Sequence, residues 1–246
     1  MVTKAAVLCG GEGTRLRPHT NNRQKTMIPI GTKHRPLLEY VVRLIVYNGV
    51  DQITLLTGYM SEQVEEYFGD GRKFNAKITY SRDAPGTKGS ASALVNAVDG
   101  GRIGPFDSLL VYYGDILSTL AIRKLVAKHE ETASAITLVL ARDYKVPVGI
   151  AQVEGDRVVG FQEKPTLPLN VTVGGLVISN DAIPILRQVT RTGSADIMTD
   201  FVPAAIKQGL KVSPFYLDDF WYDVGTTESY EKLDTDLVET NLRFLD

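Results

Sequence analysis

Strand-like and helix-like segments alternate through the first half of the chain, and this alternation limits the fold more than any other feature. Apolar runs predict strands at 5–9, 52–57, 77–81, 108–113 and 135–141. Amphipathic patterns with start and stop signals predict helices at 36–48, 61–68, 88–98 and 121–131. The alternation predicts an α/β protein with a Rossmann-like, mostly parallel sheet and helices on both faces.

The pattern changes after residue 145. Segments 149–153 and 157–162 flank Gly155-Asp156, which predicts a β-hairpin. Further strands are predicted at 171–179 and 211–216, and further helices at 181–189, at 200–208 and from Thr226 or Thr227 onward. We interpret this half as an extension of the same sheet that adds an acceptor-binding lobe. The prediction is one domain over 1–246, with lobes at 1–145 and 146–246.

Composition excludes several classes of partner. The 27 Lys and Arg nearly balance the 29 Asp and Glu, so we expect neither nucleic acid nor a membrane as partner. A zinc site is disfavoured because Cys9 is the only cysteine and the three histidines are far apart in sequence. The apolar run at 5–9 is too short for a signal peptide, and no run approaches the roughly 20 apolar residues of a membrane span. We therefore expect a cytoplasmic protein.

A glycine-rich loop, Gly10-Gly11-Glu12-Gly13-Thr14-Arg15-Leu16-Arg17-Pro18, follows the first predicted strand. Glycines let the backbone approach a phosphate, and Arg15 or Arg17 would donate charge-assisted hydrogen bonds to it. The dinucleotide fingerprint is excluded because Leu16 stands where its third glycine belongs, and the Gly-Lys-Ser/Thr of a Walker loop is absent. By itself, the loop is equally a glycine turn with solvated arginines.

With Lys25 and Pro29, this loop closely resembles the signature of the sugar-1-phosphate nucleotidyltransferases, the NDP-sugar pyrophosphorylases that make GDP-mannose, dTDP-glucose and UDP-glucose. Four later segments resemble the family's motifs in order: Pro85-Gly86-Thr87-Lys88-Gly89-Ser90-Ala91, Tyr113-Gly114-Asp115, Phe161-Gln162-Glu163-Lys164-Pro165 and Trp221-Tyr222-Asp223-Val224-Gly225-Thr226. The resemblance covers essentially the whole chain. It implies a fold of the nucleotide-diphospho-sugar transferase type, with nucleotide in the first lobe and sugar phosphate in the second.

The resemblance also implies roles for individual residues. The catalytic residues would be Arg15, Lys25 and Asp115. The nucleotide would contact Leu8, Gly10, Gly11, Gly13, Thr14, Arg15, Lys25, Asp83, Gly86 and Thr87. The sugar phosphate would contact Gly149, Glu163, Lys164 and Val173, and the metal ligands for Mg²⁺ would be Asp115 and Asp223.

The implied reaction transfers a nucleoside monophosphate from an NTP to a sugar 1-phosphate and releases pyrophosphate. The acceptor phosphate is already largely dianionic, with a second pKa of about 6, so no general base is needed. The work is to align two polyanions and neutralise their charge. Guanine presents two adjacent donors that Asp83 could accept together, which favours GTP; UTP and dTTP stay open. Val173-Gly174-Gly175 departs from the Asn-Ala-Gly of many members, so the sugar is not identified.

Three other functions are weighed against this one. A catalytically inactive, nucleotide-sugar-binding regulatory homologue would not need the metal carboxylates Asp115 and Asp223. A cytidylyltransferase of another phosphate acceptor would share the loop but usually lacks Glu163-Lys164. An oxidoreductase on a doubly wound sheet is disfavoured by the missing third glycine. The sequence does not fix the oligomeric state, and a homo-oligomer stays open.

Overall fold

A seven-stranded sheet runs through the centre of the protein, which a computed structural model describes over residues 2–246. The strands are β1 (Thr3–Leu8), β2 (Pro29–Ile30), β3 (Arg35–Pro36), β4 (Gln52–Thr57), β5 (Lys77–Arg82), β6 (Ser108–Tyr113), β7 (Ile116–Ser118), β8 (Ile136–Ala141), β9 (Tyr144–Lys145), β10 (Ile150–Glu154), β11 (Arg157–Gln162), β12 (Thr166–Leu167), β13 (Val171–Ser179), β14 (Val212–Tyr216) and β15 (Trp221–Asp223). The helices are α1 (Leu37–Tyr47), α2 (Ser61–Phe68), α3 (Ser90–Asp99), α4 (Ile122–Glu131), α5 (Ile183–Val189), α6 (Val202–Lys207), α7 (Thr227–Glu231) and α8 (Thr235–Leu242).

The central sheet has the order β14-β8-β13-β6-β1-β4-β5. Strand β1 pairs in parallel with β4 on one side and β6 on the other, and β4–β5 and β8–β14 are also parallel. Only β13 runs antiparallel, between β6 and β8. The predicted mostly parallel α/β sheet is confirmed, and β13 and β14 show that the second half of the chain contributes to it. The boundary between lobes at residue 145 stays a prediction.

Both faces of the sheet are covered, which explains why its strands are continuous apolar runs. Along β1, Ala5 and Val7 pack into one hydrophobic core and Ala6 packs into the other, because successive side chains of a strand point to opposite faces. Helices α1, α2, α4 and α8 cover the first face, and α3, α5 and α6 cover the second. Of the helices in residues 2–246, none combines the length and apolar character needed to cross a membrane.

Some predicted boundaries are wrong. The helix predicted at 88–98 begins at Ser90, because Gly89 takes a φ of 100° and lies against the Ala195 carbonyl. The helix predicted at 200–208 opens as a π-helical turn at Ile197–Phe201 before α6. The predicted hairpin around Gly155 is present as β10–β11, a two-stranded sheet separate from the central one.

Candidate active site

A cavity of about 750 Å³ opens where β1, β4 and β6 end. The sheet extends from β1 to β4 on one side and to β6 on the other, and ligands of open α/β sheets bind at such a change of direction, beyond the carboxyl ends of the strands. The predicted residues that line the cavity are Leu8, Gly10, Gly11, Lys25, Asp83, Thr87 and Asp115. The predicted residues outside its lining are Gly13, Thr14, Arg15, Gly86, Gly149, Glu163, Lys164, Val173 and Asp223.

The glycine loop is held in place by hydrogen bonds from the surrounding protein to three carbonyl groups. The Cys9 carbonyl accepts from Gln24 Nε2 at 2.5 Å, and the Gly10 carbonyl accepts from the Tyr59 N–H at 3.0 Å. The Gly13 carbonyl accepts from Thr20 Oγ1 at 2.7 Å. Within residues 2–246, the N–H groups of Gly11 and Gly13 donate to no other group. The loop therefore offers unpaired donors beside the cavity, as a phosphate site requires.

Two glycines of this loop are required by close packing. A Cβ on Gly10 would lie 2.9 Å from Asp83 Oδ2 and 3.1 Å from the Gly58 nitrogen. Gly13 has a φ of 65°, and a Cβ there would lie 2.9 Å from the Lys25 Cβ. The stem of Lys25 thus lies against the loop, which keeps its ammonium group within reach of anything the loop binds.

Lys25 and Asp115 form an ion pair at the floor of the cavity. Lys25 lies in the 3₁₀ turn Lys25–Met27, and Asp115 lies between β6 and β7. The ammonium group of Lys25 donates to Asp115 Oδ2, and the two side chains are 12% and 21% exposed. The pair is therefore partly shielded from water, and its attraction exceeds that of a fully solvated pair.

Asp223 joins this pair from the far end of the chain. It ends β15, which pairs antiparallel with β7, so that Asp223 lies opposite Ile116. The Val224 N–H donates to the Asp115 carbonyl at 3.0 Å. Burial raises the pKa of Asp223, the nearby Asp115 raises it further, and Lys25 and Arg15 oppose both effects. Asp115 and Asp223 thus lie side by side, with Arg15 and Lys25 around them.

This donor set fits Mg²⁺. Mg²⁺ is usually bound by one or two carboxylates and completes its shell with water and substrate phosphates. Asp115 and Asp223 supply two hard oxygen ligands, and desolvation together with the neighbouring Asp115 carboxylate raises the pKa of Asp223. Within residues 2–246, no group of three or more His, Cys, Asp or Glu side chains forms a cage for a metal. A metal held here would rely on phosphate oxygens of a ligand.

Asp83 lies at the rim of the cavity, just after β5. Its N–H donates to the Thr57 carbonyl at 2.8 Å, which fixes its backbone beside β4. The residue is exposed, but one carboxylate oxygen lies so close to Gly58 that a Cβ there would be 2.3 Å away. This partial desolvation raises the pKa of Asp83. The carboxylate therefore faces the cavity with the backbone of Gly10 and Gly58 behind it.

The residues predicted to bind the sugar phosphate lie apart from the cavity lining. Glu163 is beside Gly149, since a Cβ on Gly149 would lie 2.9 Å from Glu163 Oε2. Lys164 follows directly and has a φ of 46°. The side chain of Val173 is 2% exposed and packs in the core, so the predicted contact of Val173 with the sugar phosphate would involve its backbone.

Sequence reasoning missed Gln24, which organises the loop. Its side chain is fully buried, donates to the Cys9 carbonyl, and accepts from the Thr26 N–H and from Thr26 Oγ1 at 2.6 Å and 2.7 Å. Thr26 therefore supports the buried position of the Gln24 side chain. The only feature of the sequence that pointed to Gln24 was its position next to Lys25 in the matched segment. Tyr59, Ser90 and Tyr113 also line the cavity without having been predicted.

Comparison with known proteins identifies a family that matches nearly the whole chain. A family model described as nucleotidyl transferase matches residues 4–240. Over 245 residues the chain is 29% identical to the UTP–glucose-1-phosphate uridylyltransferase of Synechocystis, covering 92% of this chain and 61% of the relative. Over 244 residues it is 31% identical to the mannose-1-phosphate guanylyltransferase of Mycobacterium tuberculosis, covering 95% and 64%. The chain therefore spans less than two thirds of the length of these two relatives.

A shorter relative matches along nearly its whole length. The D-glycero-α-D-manno-heptose 1-phosphate guanylyltransferase of Aneurinibacillus thermoaerophilus is 29% identical over 236 residues, with 95% of this chain and 98% of the relative covered. Among solved structures, one described as a glucose-1-phosphate thymidylyltransferase of Bacillus anthracis has a TM-score of 0.74 at 24% identity, covering 94% of this chain and 93% of that one. The structural likeness supports the predicted nucleotide-diphospho-sugar transferase fold.

Proposed function

The chain belongs to the nucleotidyl transferase family, and from that premise we propose that it transfers a nucleoside monophosphate from an NTP to a sugar 1-phosphate. The observation that carries the proposal is the Lys25–Asp115 pair at the cavity floor, with Asp223 next to Asp115 and a loop with unpaired N–H groups beside the cavity. This combination can receive a metal-bound triphosphate. A regulatory homologue would have no use for two carboxylates held side by side in this way.

In the proposed reaction, an oxygen of the sugar phosphate attacks the α-phosphorus of the NTP. The bond from the α-phosphorus to the bridging oxygen breaks, and pyrophosphate leaves. Because the attacking phosphate is already ionised, no proton has to be removed from it. Mg²⁺, held by Asp115 and Asp223, would neutralise charge on the phosphoryl oxygens. Lys25 and the glycine loop would hold the triphosphate in line, and such positioning is the main catalytic contribution in phosphoryl transfer.

The acceptor would be held by the second half of the chain. Glu163 beside Gly149 provides a carboxylate that can accept from sugar hydroxyl groups. Lys164 provides a positive charge for the sugar phosphate, and its left-handed backbone conformation turns the chain sharply after β11. The relatives' names support this acceptor class, since all of those compared act on a sugar 1-phosphate.

We expect the purified protein to release pyrophosphate only when an NTP, a sugar 1-phosphate and Mg²⁺ are all present. The two substrates bring a triphosphate and a phosphate monoester into one site, and their negative charge must be neutralised before they can react. A coupled pyrophosphate assay over the four ribonucleotides and dTTP, with glucose, mannose and heptose 1-phosphates, measures this. Omission of each component and addition of EDTA are the controls. Absence of pyrophosphate in every combination would overturn the proposed function.

For the base, we propose guanine, read by Asp83. A carboxylate can accept both adjacent donors of guanine, N1–H and the 2-amino group, whereas uracil and thymine present one donor between two acceptors. Two of the relatives compared carry guanylyltransferase names, while another is named a uridylyltransferase. The exposed position of Asp83 on the cavity rim, backed by Gly10 and Gly58, leaves its carboxylate available to a base.

If Asp83 reads guanine, GTP should have the highest kcat/KM, and Asp83→Asn should reduce its lead over UTP by roughly tenfold or more. The expected tenfold change in the ratio of kcat/KM values follows from the loss of a hydrogen bond to a charged acceptor. Steady-state kinetics with each NTP at saturating acceptor would measure it. Asp51→Asn, at an exposed aspartate outside the cavity lining, is the matched control. A wild-type preference for UTP or dTTP would refute the assignment.

A further inference from the structure

The carboxylate that the proposed function assigns to the metal already has a cation beside it. The Lys25 ammonium donates to Asp115 Oδ2 in the protein without ligands, and both groups are largely covered. Asp223, next to Asp115 through the β7–β15 pairing, has no salt bridge within residues 2–246. One ammonium group thus pairs with one of two neighbouring carboxylates and leaves the other without a salt-bridge partner.

A free divalent cation and a metal–triphosphate complex face different obstacles at this pair. The free cation would have to displace Lys25 from Asp115, and the ammonium would be left without a partner beside a dication in a partly desolvated place. The metal–triphosphate complex brings anionic oxygens of its own. Lys25 can then exchange a carboxylate for a phosphate without losing its charge compensation.

The position of the Lys25 side chain suits such an exchange. Its Cβ packs on Gly13 of the glycine loop, and its ammonium group reaches Asp115 across the cavity floor. One side chain thus links the loop that would hold the triphosphate with the carboxylate that would hold the metal. The backbone of Lys25 is fixed in a short 3₁₀ turn, so only the flexible end of the side chain has to move.

We propose that Lys25 makes the site selective for the metal–triphosphate complex over free divalent cation, by occupying Asp115 until a phosphate chain arrives. This inference rests on the proposed function for the identity of the metal ligands. The inference adds that the nucleotide-free protein binds divalent cations weakly because Lys25 occupies Asp115. Metal and nucleotide should therefore enhance each other's binding, since the coupling between two ligands is reciprocal.

The test is a titration of the nucleotide-free protein with Mn²⁺. Electron paramagnetic resonance measures the concentration of free Mn²⁺ at each step. Lys25→Met should bind Mn²⁺ about 10- to 100-fold more tightly than wild type, since a charge-assisted contact that competes with the metal is removed. Lys33→Met is the matched control because it removes the same charge from another ion pair, with Asp246. It should bind Mn²⁺ as wild type does.

Two further variants test whether the gain in Mn²⁺ affinity depends on Asp115 and whether it survives a different substitution of Lys25. The double variant Lys25→Met/Asp115→Asn should lose the gain in affinity, which ties the gain to Asp115. Circular dichroism checks folding, and Lys25→Gln replaces Lys25→Met if the latter unfolds. Equal or weaker Mn²⁺ binding by Lys25→Met and Lys25→Gln would overturn the inference. It would also be overturned if the wild-type protein bound Mn²⁺ equally well with and without each NTP tested, after the Mn²⁺ held by free NTP is subtracted. None of these titrations involves turnover, so failure of the inference is distinguishable from failure of the proposed function.

Discussion

Asp115→Asn and Asp223→Asn should each lower kcat by roughly 100- to 1000-fold, because a charged metal ligand contributes several kcal/mol of charge stabilisation in the transition state. Asparagine keeps the shape of the side chain and removes its charge, so the fold should persist. Pyrophosphate release at limiting Mg²⁺ measures the loss. Asp219→Asn is the control, since Asp219 is exposed and lies just before β15 in the same segment as Asp223. Near-wild-type kcat in both variants would show that the metal assignment is wrong.

The pH dependence of metal binding offers a second readout on the same pair. Burial and the neighbouring Asp115 both raise the pKa of Asp223, so Asp223 takes up a proton at a higher pH than an ordinary aspartate does. A protonated carboxyl group is a poor ligand, and metal affinity should fall as the pH drops through this raised pKa. Asp115→Asn removes one cause of the shift. In that variant, the acid limb of the remaining Mn²⁺ binding should move to lower pH.

The parallel sheet could be predicted because its strands are buried on both faces. Ala5, Ala6 and Val7 are all fully buried, so β1 is a continuous apolar run rather than an alternating one. The glycine loop could be predicted for a different reason, since only glycine tolerates the left-handed φ and the close contact seen at Gly13. Both signals are local in sequence, and each is dictated by a steric or hydrophobic requirement that few other residue types meet.

Other parts of the site depend on contacts between distant segments. Asp223 reaches Asp115 only through the pairing of β15 with β7, which no local pattern encodes. The same holds for Gln24, whose buried side chain donates to the Cys9 carbonyl at the end of another segment. Resemblance to a family suggested Asp223 but not Gln24, because a buried amide carries no chemistry that a motif would single out. At Val173 the motif match gives a position in the site but not the burial of the side chain, which depends on how the core packs around it.

Arg15 and Lys164 should affect different ligands when each is replaced by alanine. Arg15 lies in the 3₁₀ turn Thr14–Leu16 that ends the glycine loop, and Thr227 Oγ1 donates to its carbonyl at 3.2 Å, which fixes the turn against α7. Its guanidinium group lies close enough to Asp223 to influence that carboxylate. Arg15 therefore belongs with the proposed metal and triphosphate site, whereas Lys164 lies beside Glu163 in the segment assigned to the sugar phosphate.

Each contact with a phosphate is charge-assisted and contributes roughly 1.5–3 kcal/mol, so each loss should weaken binding about 10- to 100-fold. Equilibrium binding is a cleaner measure than KM, because charge contacts can strengthen in the transition state. Isothermal titration calorimetry should show that Arg15→Ala weakens NTP and pyrophosphate, while Lys164→Ala weakens the nucleotide-sugar product and leaves NTP nearly unchanged. Arg23→Ala and Lys145→Ala, which remove exposed charges nearby in the chain, are the matched controls.

The contrary result would be informative about the geometry. If Lys164→Ala weakened NTP as much as Arg15→Ala does, Lys164 would have to reach the triphosphate itself. The turn after β11, where Lys164 has a φ of 46°, would then close over the nucleotide rather than over the acceptor. Because the cavity lining includes Lys25 and Asp115 but not Lys164, such closure would require the segment after β11 to move toward β1. The two titrations therefore decide whether the halves of the chain bind their substrates separately or share one phosphate chain.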